Sequence, residues 1–257
     1  RLIPELHAIE KALPPIKFTH FFKLTDAFGM FQFAHLTKSN PEFGYTVDDN
    51  ARALVAAGLY YAKVKKPSTL ELIKTSLNFL EYAARPNVGA LQEELTAKRI
   101  FENYVNSDHS FDVMKNNQEN LEDANARAMY ACARIASISS IPKEYRESAR
   151  NIFEYHFRIP LQFNSPRAIA FFIKGLALRC EKTNDPALLD ILRQYSNKLV
   201  ELYEKSSDEK WQWFEEYLTY SNAVLSEALL FSYKVTGIER YFEVGKKTLD
   251  FLISQTF

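Results

Sequence analysis

The sequence predicts an all-α protein in which helical hairpins assemble into two layers, with a small β-hairpin insertion near 86–118. Three observations predict it. Glycine is scarce, with 7 among 257 residues where an ordinary chain carries ~7%. Apolar residues recur at helical spacing through long segments. A short polar motif also returns at the start of successive apolar stretches.

Taken in order, residues 1–257 read as one domain that opens with helices at about 3–13 and 19–37. Four apolar helices follow, ARALVAAGLYYA (51–62), ARAMYACARIA (126–136), PRAIAFFIKGLAL (166–178) and NAVLSEALLFSY (222–233). Helices this apolar around their circumference are expected to be buried on every side. Between them lie amphipathic helices, with one apolar stripe each: Ile73, Leu77, Leu80 and Ala84; Leu188, Leu192, Tyr195, Leu199 and Leu202; Tyr241, Val244, Thr248 and Phe251. Pro67, Pro142 and Pro186 open the amphipathic helices, where a missing N–H is harmless. Asp185-Pro186 and Ser165-Pro166 pair a capping residue with a proline at the first helical position. In 86–118, alternation at Ile100, Glu102 and Tyr104, and again around Phe111 and Val113, predicts the β-hairpin. Such an insertion on a ring is expected to shape a binding mouth.

The repeat is clearest in YTVDDNARALVAA (45–57) and ENLEDANARAMYA (119–131), which share an acidic pair followed by Asn-Ala-Arg-Ala. NSPRAIAFF (164–172) and TYSNAVLSEALL (219–230) keep the polar opening. Repeated hairpins that cannot bury their inner faces alone imply a stacked or closed array. A buried inner layer favours closure into a ring, with the amphipathic helices outside. Successive inner helices then run parallel, and their N-termini converge on one face.

Composition excludes several functions. Charge is balanced, 32 Lys+Arg against 32 Asp+Glu, which argues against nucleic acid as a partner. No stretch reaches the ~18 apolar residues of a membrane span. Neither GxGxxG nor GxxxxGK[ST] occurs, so no phosphate cradle is expected. The five histidines show no metal-ligand spacing, and no metal or other cofactor is expected. His156 reads as a core-edge residue, and His109, in the insertion, as one within reach of the rim. Cys132 and Cys180 sit in apolar helical patterns as free thiols. No secretory leader is visible in RLIPELHAIEKALPP, so a cytoplasmic location is expected.

Three acidic constellations open the buried helices. They are Asp48-Asp49-Asn50 with Arg52, following Tyr45; Glu122-Asp123-Asn125 with Arg127; and Trp211-Gln212-Trp213-Phe214-Glu215-Glu216, running on to Tyr220 and Asn222. The plain alternative is capping, since acids and amides at a helix start stabilise it by about 0.5–2 kcal/mol. A cap needs one acceptor, however, and each site doubles its acid. Aromatic faces stack on sugar rings while carboxylates and amides bind hydroxyls, and glycoside cleavage needs two carboxyl groups. The expectation is therefore a glycoside hydrolase, with inversion favoured. Glu215 would be the acid, its proton held by aromatic surroundings. Asp48 or Asp49, or else Glu122 or Asp123, would be the partner carboxylate. Trp213 with Tyr220 would stack on the sugar, and Trp211, Asn222, Asn50, Arg52 and Tyr45 would also bind substrate. The rivals are a non-catalytic glycan-binding module and a helical-repeat domain whose concave face binds protein.

GYTVDDNARALVAA, ENLEDANARAMYA, SPRAIAFFIKGLA and WQWFEEYLTYSNAVLSEALLFSYKVTG resemble an uncharacterised bacterial glycosidase-like family of the six-hairpin glycosidase superfamily. The resemblance covers roughly residues 40–257. It implies an (α/α)6 toroid with carbohydrate as ligand, and association with a glycosyltransferase, because members occur alone or joined to one. It places Asp48, Asp49, Asn50, Arg52, Glu122, Asp123, Glu215, Tyr220 and Asn222 at the site. Four hairpins follow the N-terminal helices, so six pairs are expected to need those helices or residues beyond Phe257.

Overall fold

The computed structural model describes residues 14–84, 100–157, 162–183 and 185–256. Ten α-helices form among these residues. A short α1 (Thr19–Leu24) precedes a two-residue hairpin, β1 (Ala34–His35) with β2 (Lys38–Ser39). The single long helix expected over 19–37 is thus a helical turn followed by a hairpin. A helical pattern there lacked a continuous apolar stripe, and Asp26 instead ties the turn by accepting from Phe28 N and Gly29 N. The helix expected at 3–13 lies outside the described residues.

Four hairpins of helices follow. They pair α2 (Val47–Val64) with α3 (Pro67–Ala83), α5 (Glu122–Ser137) with α6 (Lys143–His156), α7 (Pro166–Cys180) with α8 (Pro186–Ser206), and α9 (Ala223–Thr236) with α10 (Glu239–Thr256). A short α4 (Val113–Gln118) leads into α5. The first member of each pair packs on the next first member, in the order α2–α5–α7–α9, and each second member covers its own partner from outside. Ser165 and Asp185 cap α7 and α8 as the sequence predicts, accepting from Ala168 N and Ala187 N. The core lies between the layers, around Leu54, Ile73, Met129, Phe153, Ile169, Phe172, Leu192, Leu225 and Tyr241. Hydroxyl pairs lock neighbouring helices within it, Ser196 with Ser232 at 2.7 Å and Ser226 with Thr248 at 2.8 Å.

The described part of the insertion carries the expected small hairpin, in which Asp112 N donates to Tyr104 O at 3.0 Å and Asn106 N to Ser110 O at 2.8 Å across the turn, and its first strand also pairs outside the insertion. Strand β4 (Tyr104–Val105) pairs antiparallel with β3 (Tyr45–Thr46), just before α2, and Val105 bridges back to Phe111. Phe101, Asn103 and Val105 are its buried face. This pairing holds the insertion against the start of α2, where Val47 N donates to Asn103 O at 2.9 Å and Asp48 N to Asn103 Oδ1 at 3.1 Å. The portion over 85–99 lies outside the described residues.

Candidate functional site

The repeated asparagines are structural. Asn50 Oδ1 accepts from Met30 N at 2.8 Å, while its Nδ2 donates to Met30 O and to Thr46 O. Asn125 does the same one hairpin later. Its Oδ1 accepts from Ile100 N and Phe101 N, and its Nδ2 donates to Phe101 O and Leu121 O. Each buried amide thus ties the first turn of an inner helix to the loop segment beside it, satisfying backbone groups no helix could pair.

With the amides occupied, several of the acids reach across to neighbouring hairpins. Thr46 caps α2 by accepting from Asp49 N, and its hydroxyl donates to Asp49 Oδ2 at 2.6 Å. Burial raises the Asp49 carboxyl above its ordinary value; the Thr46 hydrogen bond opposes this, the Asp48 charge adds to it, and Arg52 and Arg127 oppose it. Asp48 pairs with Arg52 on its own helix and with Arg127 on the next, the latter at 3.0 Å. Asp48 Oδ1 and Arg127 Nε are buried without a hydrogen bond, so that contact is charge against charge. The Arg127 guanidinium stacks 4.2 Å from the Phe171 ring centre.

The second and third hairpins are stitched in the same manner. Glu122 Oε2 accepts from Asn164 N at 2.6 Å and Ser165 N at 2.7 Å, so it caps the entry to α7 rather than its own helix. Asp123 accepts from Ser165 Oγ at 2.6 Å and from the Tyr220 hydroxyl. Burial and then Asp123 raise that phenol above its ordinary value. Arg167, 4% exposed, donates Nη1 to both oxygens of Glu215 at 2.9 and 2.8 Å, Nε to Tyr220 O at 2.6 Å, and Nη2 to Asn222 Oδ1 at 3.1 Å. Acids and guanidinium groups therefore form one belt across the N-termini of α2, α5, α7 and α9.

Several expected site residues stand elsewhere. Trp213 is fully buried against Phe214 and Phe251, so neither face of its indole is open to a sugar. Trp211 is half-buried, packs edge-on against Phe251 and donates Nε1 to Glu215 O at 2.6 Å; it shapes the loop that carries Glu215. Tyr45 is buried between Phe28 and Phe31, with its hydroxyl on Asp26 Oδ2 at 2.6 Å. Asn50 is wholly buried, as its backbone role requires. Glu215 is not surrounded by aromatics alone, since Arg167 holds both its oxygens. Tyr220 is exposed at the belt, where Arg52 and Asn222 also stand.

Sequence reasoning passed over Arg167 as a site residue. Its signal was present, because Arg167 follows Ser165 as Arg127 follows Asn125 and Arg52 follows Asn50. His109 is away from the belt, stacked on Phe28 at 3.8 Å, and His156 is buried beside Phe101. Among the described residues, no group of three or more His, Cys, Asp or Glu is placed to hold a metal ion. Burial pushes the thiols up, Cys132 to about 12 and Cys180 to about 11. No helix among the described residues is long and apolar enough to cross a membrane.

In sequence, the chain matches no protein-family model and no curated protein. In structure, it is similar to the cellobiose 2-epimerase of Bacillus thermoamylovorans B4167, with a TM-score of 0.63 and 13% identity over 89% of this chain and 66% of that one. It is also similar to the cellobiose 2-epimerase of Spirochaeta thermophila DSM 6192, with a TM-score of 0.60 and 14% identity over 88% of this chain and 64% of that one. The chain thus spans just under two thirds of the length of either. The likeness is one of fold, all-α and of the (α/α)6-toroid type, with four of its helical hairpins among the described residues.

Proposed function

We propose that the protein is carbohydrate-active and binds a saccharide at the belt joining the N-termini of α2, α5, α7 and α9. The belt itself carries this reading. Asp48, Asp49, Asp123 and Glu215 alternate with Arg52, Arg127 and Arg167, and the exposed Tyr220 lies among them. Sugar hydroxyls both donate and accept, so adjoining carboxylates and guanidinium groups suit them. The shared fold with two epimerases of a disaccharide supports the same ligand class.

Within this reading the reaction is hydrolysis by paired carboxyl groups, with the acid role moved from Glu215 to Asp49. A proton donor must keep its proton near the working pH, and burial favours the protonated form at Asp49. Asp49 would protonate the glycosidic oxygen as the bond to the anomeric carbon breaks. A carboxylate paired with arginine, Glu215 or Asp48, would take a proton from the water that attacks that carbon. The fold neighbours favour a second reaction on the same belt, 2-epimerisation, in which a base removes the proton beside the sugar's carbonyl and the proton returns from the other face. A non-catalytic module beside a glycosyltransferase would bind saccharide and turn over none.

One experiment separates these. The protein is incubated with cellobiose and a panel of oligosaccharides in D2O and followed by NMR. Hydrolysis yields new reducing ends, epimerisation yields deuterium at C2, and binding without either marks a module. Asp49→Asn should lower hydrolysis by roughly 10²-fold or more while binding persists. Wild-type rates in that variant overturn the acid assignment, and no binding of any saccharide overturns the ligand class.

A further inference from the structure

The inner helices carry a second polar stripe, beyond the belt, that neither capping nor core packing explains. Lys174 on α7 is 5% exposed, yet it lies among rings, 4.5 Å from the centre of Tyr130, 5.7 Å from Phe231 and 5.9 Å from Phe171. Its Nζ reaches Glu227 Oε2 on α9 at 2.7 Å. Arg134 on α5 packs 5.5 Å from Tyr130 and 5.9 Å from Phe231, and donates Nε and Nη2 to the Tyr130 hydroxyl at 3.3 and 3.1 Å. Three consecutive inner helices therefore share one patch of cations and aromatic faces.

Two features of the patch point to a ligand. Lys174 pairs with Glu227, whereas Arg134 has no carboxylate partner among the described residues, so among these residues the patch holds two cations and one ion pair. The aromatic groups Tyr130 and Phe231 are also half-buried rather than closed off, with the Tyr130 hydroxyl proton given to no acceptor among the described residues. A group that bears one negative charge next to a ring with an apolar face satisfies both features.

Resting on the carbohydrate reading of the belt, we propose that this patch binds the carboxylate of a glycuronic acid unit, with Arg134 and Lys174 on the carboxylate and Tyr130 and Phe231 along the sugar ring. The planar fork of a guanidinium matches a carboxylate, and an aromatic face matches the C–H face of a pyranose. Arg134 lies eleven residues beyond Asp123 on α5, roughly 16 Å along the helix axis at ~1.5 Å per residue. A ligand that touches belt and patch together is therefore an oligosaccharide containing an acidic residue.

Titration calorimetry of the full chain tests this with D-glucuronate and oligoglucuronides against glucose, cellobiose, inorganic phosphate and sulfate. Uronates are expected to bind more tightly than the neutral sugars, with affinity falling as salt rises. Arg134→Gln should weaken uronate binding roughly tenfold or more while neutral sugars are unaffected. Glu227→Gln, which removes the acid paired with Lys174, should strengthen uronate binding, a gain that misfolding cannot produce. Equal affinity for neutral and acidic sugars, or indifference of uronate binding to both variants, overturns the proposal and leaves the belt reading standing. Phosphate or sulfate binding that depends on Arg134 where uronate does not bind overturns it as well. Oligoglucuronide binding that is lost in Arg134→Gln but indifferent to Asp123→Asn would instead sustain the patch and overturn the belt. No saccharide binding at all overturns both.

Discussion

Asp49 is where stability and chemistry pull apart most clearly. Its folded-state carboxyl value lies above its unfolded one, so the folded protein holds that proton more tightly. Stability from this group is therefore complete while both states are protonated, below about pH 4, and is lost as pH rises through the unfolded value towards the folded one. Asp49→Asn removes that loss. It should be more stable than the parent at pH 7 and show no gain below about pH 4, as read from urea melts at the two values. A residue serving only as a cap partner would behave oppositely and destabilise at pH 7 by about 0.5–2 kcal/mol. Asn125 belongs to the other class. Its amide satisfies four backbone groups, and each buried group left unpaired costs roughly 1–3 kcal/mol. Asn125→Ala should therefore lose about 3 kcal/mol or more in the same melts. The two kinds of residue were indistinguishable in the motif. Asp49 and Asn50 are adjacent, and only the position of the neighbouring segment at Met30 decides which one points to backbone and which to the belt. Trp213 shows the same limit in reverse, because an indole flanked by acids in sequence is wholly buried in space, and Trp213→Ala reports on the core.

At the scale of elements, the inner helices were legible from periodicity, and their capping from Ser165 and Asp185. The short connections were not. Where the sequence suggested a long helix over 19–37, the structure has a helical turn and a hairpin with Phe31 bridged to Tyr45, and the hairpin of the insertion also lends β4 to the distant β3. β3 and β4 stand about sixty residues apart, so their pairing leaves no local spacing to read. Gly44 is the pivot of this region. Its φ of +63° is open to glycine, and a Cβ would lie 2.2 Å from Val105 O. Gly44→Ala must move β4 away from β3 and with it Asn103, whose carbonyl and amide hold the first turn of α2. The expected loss is about 2–4 kcal/mol, with a drop in saccharide affinity measured in the fraction that stays folded.

Over the whole molecule, each inner helix packs chiefly on its neighbours in the order α2–α5–α7–α9. Stability in such an array is close to a sum of hairpin and interface terms, and the outer units have fewer neighbours. Hydrogen exchange should then be slowest in α5 and α7 and faster in α2–α3 and α9–α10; uniform protection would show instead that the array unfolds as one unit. The belt crosses all three interfaces of the inner layer, which makes ligand binding and the order of the hairpins one problem. A saccharide bound across Asp48, Asp123 and Glu215 should raise protection in the end hairpins most.

Glycine scarcity, helical periodicity and the Asn-Ala-Arg-Ala repeat were enough to determine the hairpins, the layer to which each helix belongs and the rim on which the acids gather. These are local properties, because burial period and helix starts are written within a few residues of one another. Tertiary structure alone decided which acid is a cap, which is an ion pair and which is a buried carboxyl with a raised proton affinity. It also placed Arg134 and Lys174, hidden in helices that read as apolar, beside the rings of their neighbours. Those outcomes depend on distances between hairpins of about 3 to 6 Å, set by packing between residues far apart in the chain.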